Sequence, residues 1–380
     1  MKTEQYLLTG RDDWNSQEEA KLGDSAQLVM IFGNGDALQN GDAIRRIARL
    51  YPKALLFGCS TAGEICGPSV YDNACTATAV AFEDTTVKAA KITVADAGNS
   101  YEVGKELAGL FPAEDLRHVI VLSEGLQING SQLVRGLSGG LPAGVTVTGG
   151  LSGDSDRFKE TYVLCGEYAE RHIVAALGFY GTRLKVGYGS FGGWDPFGPE
   201  RLVTHSKENI LYELDGKSAL KLYTTYLGAQ AIHLPASGLL FPLSVRTSTG
   251  AAPVVRTLLS INENDQGMVF AGDMPEGSYA RLMKANFDRL IDGAMEAAKI
   301  TGKTLGPYRP ELAVLISCVG RKLILKQRVE EEIESVQEVL GQQAALTGFY
   351  SYGEISPFVK DGTCELHNQT MTVTAFTESE

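Results

Sequence analysis

The sequence predicts an α/β (α+β) protein of two domains. They are built from repeated strand–helix–strand–turn–strand units whose mixed sheets are covered by helices. Three observations carry this. Three passages repeat the order apolar strand, amphipathic helix, apolar strand, and in each the second strand runs into a glycine turn. Each passage then ends in an apolar strand closing on Phe82, Phe179 or Phe376. A chain of 380 residues, 44% hydrophobic and 21% charged, has the apolar content for more than one core and the composition of an ordinary globular protein.

The first passage runs from LVMIFGN (28–34) through a helical stretch around DAIRRIARLY to ALLFGCSTAGEI (54–65) and TATAVAF (76–82). The second runs from VIVLSEG (119–125) through SQLVRGLS to VTVTGGLSGD (145–154) and IVAALGF (173–179). The third runs from AVLISCVGR (313–321) through RVEEEIESVQEVLGQQ to AALTGFYSYGEI (344–355) and TMTVTAF (370–376). A helix between two strands fits a right-handed parallel crossover, and the short glycine-bounded excursion fits an antiparallel return. In the third helix Val329, Ile333, Val336 and Leu340 fall at helical spacing, which leaves the glutamates for solvent. Two further stretches, 81–111 and 254–291, share the order strand, turn, strand, helix, with Ser100 and Ser278 as the expected caps. The domain boundary is expected between residues 200 and 220, where glycine and proline thicken, giving domains of 25–215 and 216–380.

A formal charge of −12 argues against nucleic acid or an anionic membrane as partner, because both reward clustered Lys and Arg. No apolar run approaches a membrane span, and the first residues carry no secretory h-region. The six cysteines are scattered without a C-x-x-C pair, which fits reduced thiols in a cytoplasmic protein.

Gly187, Gly189 and Gly192 match G-x-G-x-x-G, but the following WDPFGP is a poor helix start, so a structural turn is expected rather than a dinucleotide site. Cys59 and Ser60 follow a strand directly and are the candidate nucleophiles of a hydrolase, although no histidine stands in a catalytic signature. Three residues after the lead glycine every copy carries a hydroxyl: Thr61, Ser152 and Ser351. Copies one and three add Glu64 and Glu354. The third copy differs, because Tyr350 and Tyr352 flank its serine and His367, Asn368, Gln369 and Thr370 open its last strand. Alternation would place His367 and Gln369 on one face of that strand. Arg321 closes the opening strand and is expected to meet Glu354. Such polar groups gathered in one unit fit a ligand pocket.

GFYSYGEISP followed by ELHNQTMTVTAF resembles the end of the FIST C-terminal domain. FGCSTAGEI, GGLSGDSDRF and VTHSKENILYELDGKSALKLYTTYLG resemble the FIST N-terminal domain and its junction, and the resemblance covers the chain from about residue 25 onward. It implies a stand-alone small-ligand sensor of bacterial signal transduction acting on a histidine kinase or cyclic-di-GMP enzyme. In length and overall pattern the chain is similar to the haem-binding, nitric-oxide-sensing NosP branch. That similarity implies non-covalent haem b with His367 as first-choice iron ligand, followed by Tyr350, Tyr352 and His205. The alternative is a sensor for an amino acid or similar metabolite, with Arg256 or Arg321 holding its carboxylate and Ser351, Glu354, Asn368 and Gln369 completing the pocket. Homo-oligomerisation is left open.

Overall fold

The computed structural model describes residues 1–8, 20–94, 99–248, 253–358 and 362–379. Each of the three passages forms the expected unit. Leu28–Gly33 pairs parallel with Leu55–Ser60, Leu116–Ser123 with Thr146–Leu151, and Leu312–Cys318 with Ala345–Ser351. The returning strands Cys75–Ala81, Ile173–Tyr180 and Met371–Glu378 lie antiparallel on the other side of the opening strands. The mixed α/β class read from the sequence is therefore the observed one.

The glycine-bounded hairpins do something the sequence did not reveal. None stays in its own sheet. Glu64–Cys66, from the first unit, pairs with Ala345–Ser351 of the third. Val163–Cys165, from the second, pairs with Leu55–Ser60 of the first. Gly353–Pro357, from the third, pairs with Thr146–Leu151 of the second. The three sheets thus exchange hairpins in a closed ring. At the far edges Lys2–Leu8, Thr86–Thr93 and Leu184–Phe191 complete three six-stranded sheets.

The inner faces meet in one shared core. Phe32 stacks on Phe349 with centroids 4.9 Å apart, and Phe179 packs on Phe82 at 6.2 Å and on Phe376 at 5.2 Å. His118 is fully buried beside Phe376, its ring nitrogens at Thr146 and Thr148 hydroxyls, so it is a packing residue of this core. Helices Ser100–Gly109, Gly130–Gly140, Phe287–Leu305 and Val329–Leu340 cover the second and third sheets.

Three glycines make the exchange possible. A methyl group on Gly58 would lie 1.7 Å from the Ile31 carbonyl oxygen, on Gly149 1.9 Å from that of Val121, and on Gly348 1.8 Å from that of Leu315. Gly149 and Gly348 also hold φ of +153° and +158°, which other residues rarely adopt. The turns that follow then touch one another directly. Ala62 donates its N–H to the Tyr350 carbonyl, Tyr350 donates to Gly63, and Gly153 donates to Ser60.

Between the second and third units the chain builds a fourth module. The thirteen-residue strand Asp195–Lys207 pairs with Tyr279–Lys284 through its first half and with Ile210–Leu214 through its second. The sheet path ends on Val254–Arg256 and Leu258–Asn262, which are separated only by Thr257, so it curls round on itself into a barrel-like module, called the barrel below. Helix Ala219–Leu227 packs into its core with Leu220 and Tyr223 buried.

Two local expectations change. Ser278 is not a helix cap: residues 279–284 form a strand and the helix begins at Phe287, capped by the Asn286 side chain. Asn99, not Ser100, occupies the other cap position, and the Ser100 hydroxyl accepts from Asn129 N. Gly187 and Gly189 lie within a strand rather than a turn. Methyl groups there would lie 2.5 Å from the Thr301 and 2.4 Å from the Ala297 carbonyl oxygens, so they let helix Phe287–Leu305 press onto the sheet.

Gly348→Ala is expected to cost about 3 kcal/mol or more, because the methyl group overlaps a neighbouring strand's carbonyl and the backbone cannot move without opening the parallel pair. Chemical denaturation checks it; a loss under about 1 kcal/mol would show that the strands can part freely.

Candidate functional site

The glycine turns of copies one and three carry one shared device. The Ser351 hydroxyl donates to Glu354 at 2.6 Å, and the other Glu354 oxygen accepts from the Thr370 N–H and hydroxyl at 3.1 and 3.0 Å. In copy one the Thr61 hydroxyl donates to Glu64 at 2.5 Å while Ala74 N–H donates to its other oxygen. Burial pushes Glu354 up to about 8 and Glu64 up to about 7, against the pull of these donors. Copy two has Ser155 in the acid's place, and its Ser152 hydroxyl donates to the Ser123 carbonyl. In copies one and three the carboxylate ties the turn to a distant strand entry. Ser351 and Glu354 are therefore fixed by the fold.

Arg321 does not meet Glu354 by hydrogen bond. Its fully buried guanidinium donates to Glu332 from Nε at 3.0 Å and Nη2 at 2.7 Å, and to the carbonyls of Gly192 and Leu290 at 2.6 Å each. The other Glu332 oxygen accepts from Tyr350 at 2.6 Å and Ser317 at 3.1 Å. Glu332 is thus no solvent residue, contrary to the helical reading. It sits between Val329 and Ile333 on the inward face, and that position was the available signal. With its charge met by Glu332 and its fork filled by carbonyls, Arg321 is not free to hold a ligand carboxylate.

The polar run His367–Thr370 does not open a strand. Cys364–His367 ends at His367, Met371–Glu378 begins after three intervening residues, and Gln369 turns the chain with φ of +62°. Alternation therefore does not apply, and all four side chains are buried. Ser356 O receives His367 Nε2 at 2.7 Å, and the ring stands edge-on to Phe358. Burial pulls the imidazole down to about 4, so it is neutral at physiological pH.

What distinguishes this turn is what stays unpaired. Among the described residues, His367 Nδ1, both amide atoms of Asn368 and Gln369 Oε1 are buried with no hydrogen-bond partner. The barrel covers the turn: Gln369 Nε2 approaches the Leu239 carbonyl at 3.5 Å, and Trp194 donates to the Gln369 carbonyl at 2.8 Å. On the barrel side Ser237 Oγ and Thr257 Oγ1 also lack partners among the described residues. Arg256, 3% exposed, reaches across to donate to Leu366 O at 2.9 Å, and its remaining bonds go to the Asp273 and Val255 carbonyls. Burial brings it down to about 10, and among the described residues no carboxylate forms an ion pair with it. The structure thus gathers His367, Asn368, Gln369 and Arg256 at one junction, with Ser351 and Glu354 in the turn behind it.

His205 is elsewhere. It is 57% exposed on the barrel, bonded to Glu276 and stacked on Tyr212. Tyr352 instead borders a cleft of about 310 Å³ between barrel and core. The haem expectation does not fit this arrangement. His367 and Tyr350 are sealed among packed side chains, the Tyr350 hydroxyl is committed to Glu332, and burial raises the Tyr352 hydroxyl away from the tyrosinate form. The nucleophile expectation fits no better. Burial raises the Cys59 thiol, and the Ser60 hydroxyl donates to Gly153 O while accepting from Tyr162 N.

The FIST N domain model matches residues 27–217 and the FIST C domain model matches residues 219–357. The chain belongs to the FIST family. FIST domains are sensor domains of signal transduction, and the change from one match to the other falls at the strand pair Ile210–Leu214 and Lys217–Ser218 of the barrel. The second match stops at Pro357, so the 367–370 turn lies just beyond it. An uncharacterized protein of Methanocaldococcus jannaschii is 25% identical over 237 residues, which is 58% of this chain and 43% of that protein. The chain thus matches less than half of that relative's length. Two structures of cyanuric acid hydrolase, one from A. caulinodans, align at 10% and 12% identity over 78% of this chain and 100% of theirs. Their TM-scores are 0.19 and 0.17. No helix among the described residues is long and apolar enough to cross a membrane.

Two outcomes follow from these buried carboxylates. Glu332→Ala is expected to cost about 3–5 kcal/mol by stranding the Arg321 charge, and pairing Arg321→Met with Glu332→Leu recovers most of it; denaturation of both variants beside the parent tests the pair. The raised Glu354 keeps its proton in the folded state while the unfolded chain releases it, so stability falls as pH rises from about 4.5 to about 8. Glu354→Gln should flatten that slope, and an unchanged slope would assign it to other groups.

Proposed function

We propose that this protein senses a compact polar metabolite carrying a carboxylate, an amino acid for instance, bound at the junction between the barrel and the 367–370 turn. The observation that supports it is the run of unpaired buried atoms on His367, Asn368 and Gln369 beside Arg256. An unmet buried polar group costs about 1–3 kcal/mol, and native interiors tolerate few of them. Here three consecutive residues carry them, and the facing module adds two hydroxyls. A ligand with a carboxylate for Arg256 and a donor–acceptor edge for Asn368 and Gln369 complements that set.

The position suits a sensor. Arg256 belongs to the barrel and Asn368 to the core, so a ligand touching both favours the arrangement in which they are held together. In this reading a separate histidine kinase or cyclic-di-GMP enzyme distinguishes the two arrangements; the family's sensory role supports that step. Haem-based nitric oxide sensing draws on the family branch alone, since His367 and Tyr350 are buried and His205 lies apart from them on the barrel.

Thermal melts against a panel of amino acids and small carboxylates test the proposal. One chemical class should raise the melting temperature. Asn368→Leu, close in volume, should melt at or above the parent temperature without ligand and lose the shift, because it removes an amide that the protein does not satisfy. Strong destabilisation of the ligand-free variant would show that the amide is structural and sink the reading. Haem titration should give no saturating Soret band; a one-to-one band altered by His367→Ala would restore haem.

A further inference from the structure

The cleft of about 310 Å³ beside Tyr352 lies apart from the unpaired turn and has its own chemistry. One wall is the Gly125–Gly130 loop of the core, and the other is the barrel segment Phe270–Gly272 with Leu259 and Asn209. At its end Phe158 stacks on Tyr352, with centroids 4.3 Å apart and planes 12° from parallel. Tyr352 is held still: its hydroxyl donates to Ser155 O and accepts from Phe158 N, both at 3.2 Å. Phe158 is not buried by this stack. It remains 46% exposed, and its backbone adopts φ of +51°. A bulky residue in the left-handed region is strained, and such strain collects at ligand clamps. The fold thus holds a flat aromatic face in the cleft on a rigid backing.

A second feature supplies charge. Glu208 lines the same cleft and also has a left-handed φ, +53°. Its carbonyl accepts from Met274 N at 2.8 Å, which anchors the loop, while its carboxylate has no hydrogen-bond or ion-pair partner among the described residues. An anchored backbone, a free acid and an exposed aromatic face line one cavity. Its size falls at the small end of the roughly 300–1,000 Å³ range of ligand pockets.

The geometry points to this cleft as a binding site for a compact aromatic amine, its ring stacked on Phe158 and its ammonium group paired with Glu208. The site is independent of the carboxylate site at the 367–370 turn, and neither requires the other. Its walls come from both the core and the barrel, so an occupant bridges the two modules. It therefore acts as a second input on the same arrangement.

Calorimetry on the full chain, with tryptamine and indole-3-propionate as probes, tests this. The two probes share a ring and differ in the sign of their charge. Tryptamine should bind one-to-one, at least about tenfold more tightly than indole-3-propionate, and less tightly as salt is raised. Phe158→Ala should weaken tryptamine about tenfold, with Phe158→Leu intermediate. Glu208→Gln should remove the preference between the probes. Both side chains are solvent-accessible, so the parent melting temperature should be kept. Asn368→Leu should leave tryptamine binding unchanged, which separates this site from the junction. Equal affinity for both probes, no saturable tryptamine binding, insensitivity to Phe158→Ala, or sensitivity to Asn368→Leu would each overturn the proposal.

Discussion

Backbone approaching backbone at three glycines is the constraint on which this structure rests. Gly58, Gly149 and Gly348 sit where the second parallel strand of each unit passes the carbonyl of the first, with no room for a side chain. That closeness brings the following turns together, where they hydrogen-bond to one another and send their hairpins into neighbouring sheets. The hydroxyl–glutamate pairs Thr61–Glu64 and Ser351–Glu354 then fix two of the turns to the strands beyond them. Glycine supplies the approach, and buried hydrogen bonding supplies the direction in which each hairpin leaves.

Within that frame, the polar groups of the third unit divide into those the fold uses and those it leaves over. Arg321, Glu332, Tyr350 and Ser317 satisfy one another in a closed network, and such networks define geometry without offering anything to a ligand. Asn368 and Gln369, beside the Thr370 end of the Glu354 device, have buried polar atoms that meet no partner among the described residues. Satisfaction, rather than residue type, is what separates the two groups. Both contain an arginine, but Arg321 faces a carboxylate while Arg256 faces carbonyls.

The units were legible because the strands are rich in apolar residues and each second strand places a hydroxyl three residues after its lead glycine. Which residues form parallel pairs could be read from Leu28, Val119 and Ala313 onward. Hairpin exchange was not legible, because the pattern of Glu64–Cys66 is the same whichever sheet it joins. Glu332 was misjudged through residue type: periodicity placed it inward, and charge placed it outward, and a partner eleven positions away decided between them. His367–Thr370 was recognised as unusual but given a strand's alternation, since nothing local announces that Gln369 adopts a left-handed turn. The junction itself needs Arg256 and Leu366, which are 110 positions apart, and only the folded chain shows them together.

The ring of exchanged hairpins also orders events in time. Ile65 pairs with Gly348, and Gly149 pairs with Ile355, so neither of the first two units can finish its contribution until the last third of the chain has been made. Contacts this remote in sequence slow folding and leave strand edges open while they wait. A nascent chain that has reached the barrel therefore holds a first sheet with all its strands and a second sheet that still lacks Gly353–Pro357 and Cys364–His367. Thr146–Leu151 still presents a free edge that only Gly353–Pro357 is shaped to close. The last strands to be synthesised lock the whole assembly, and they flank the same turn in which His367, Asn368 and Gln369 keep buried polar atoms unpaired among the described residues.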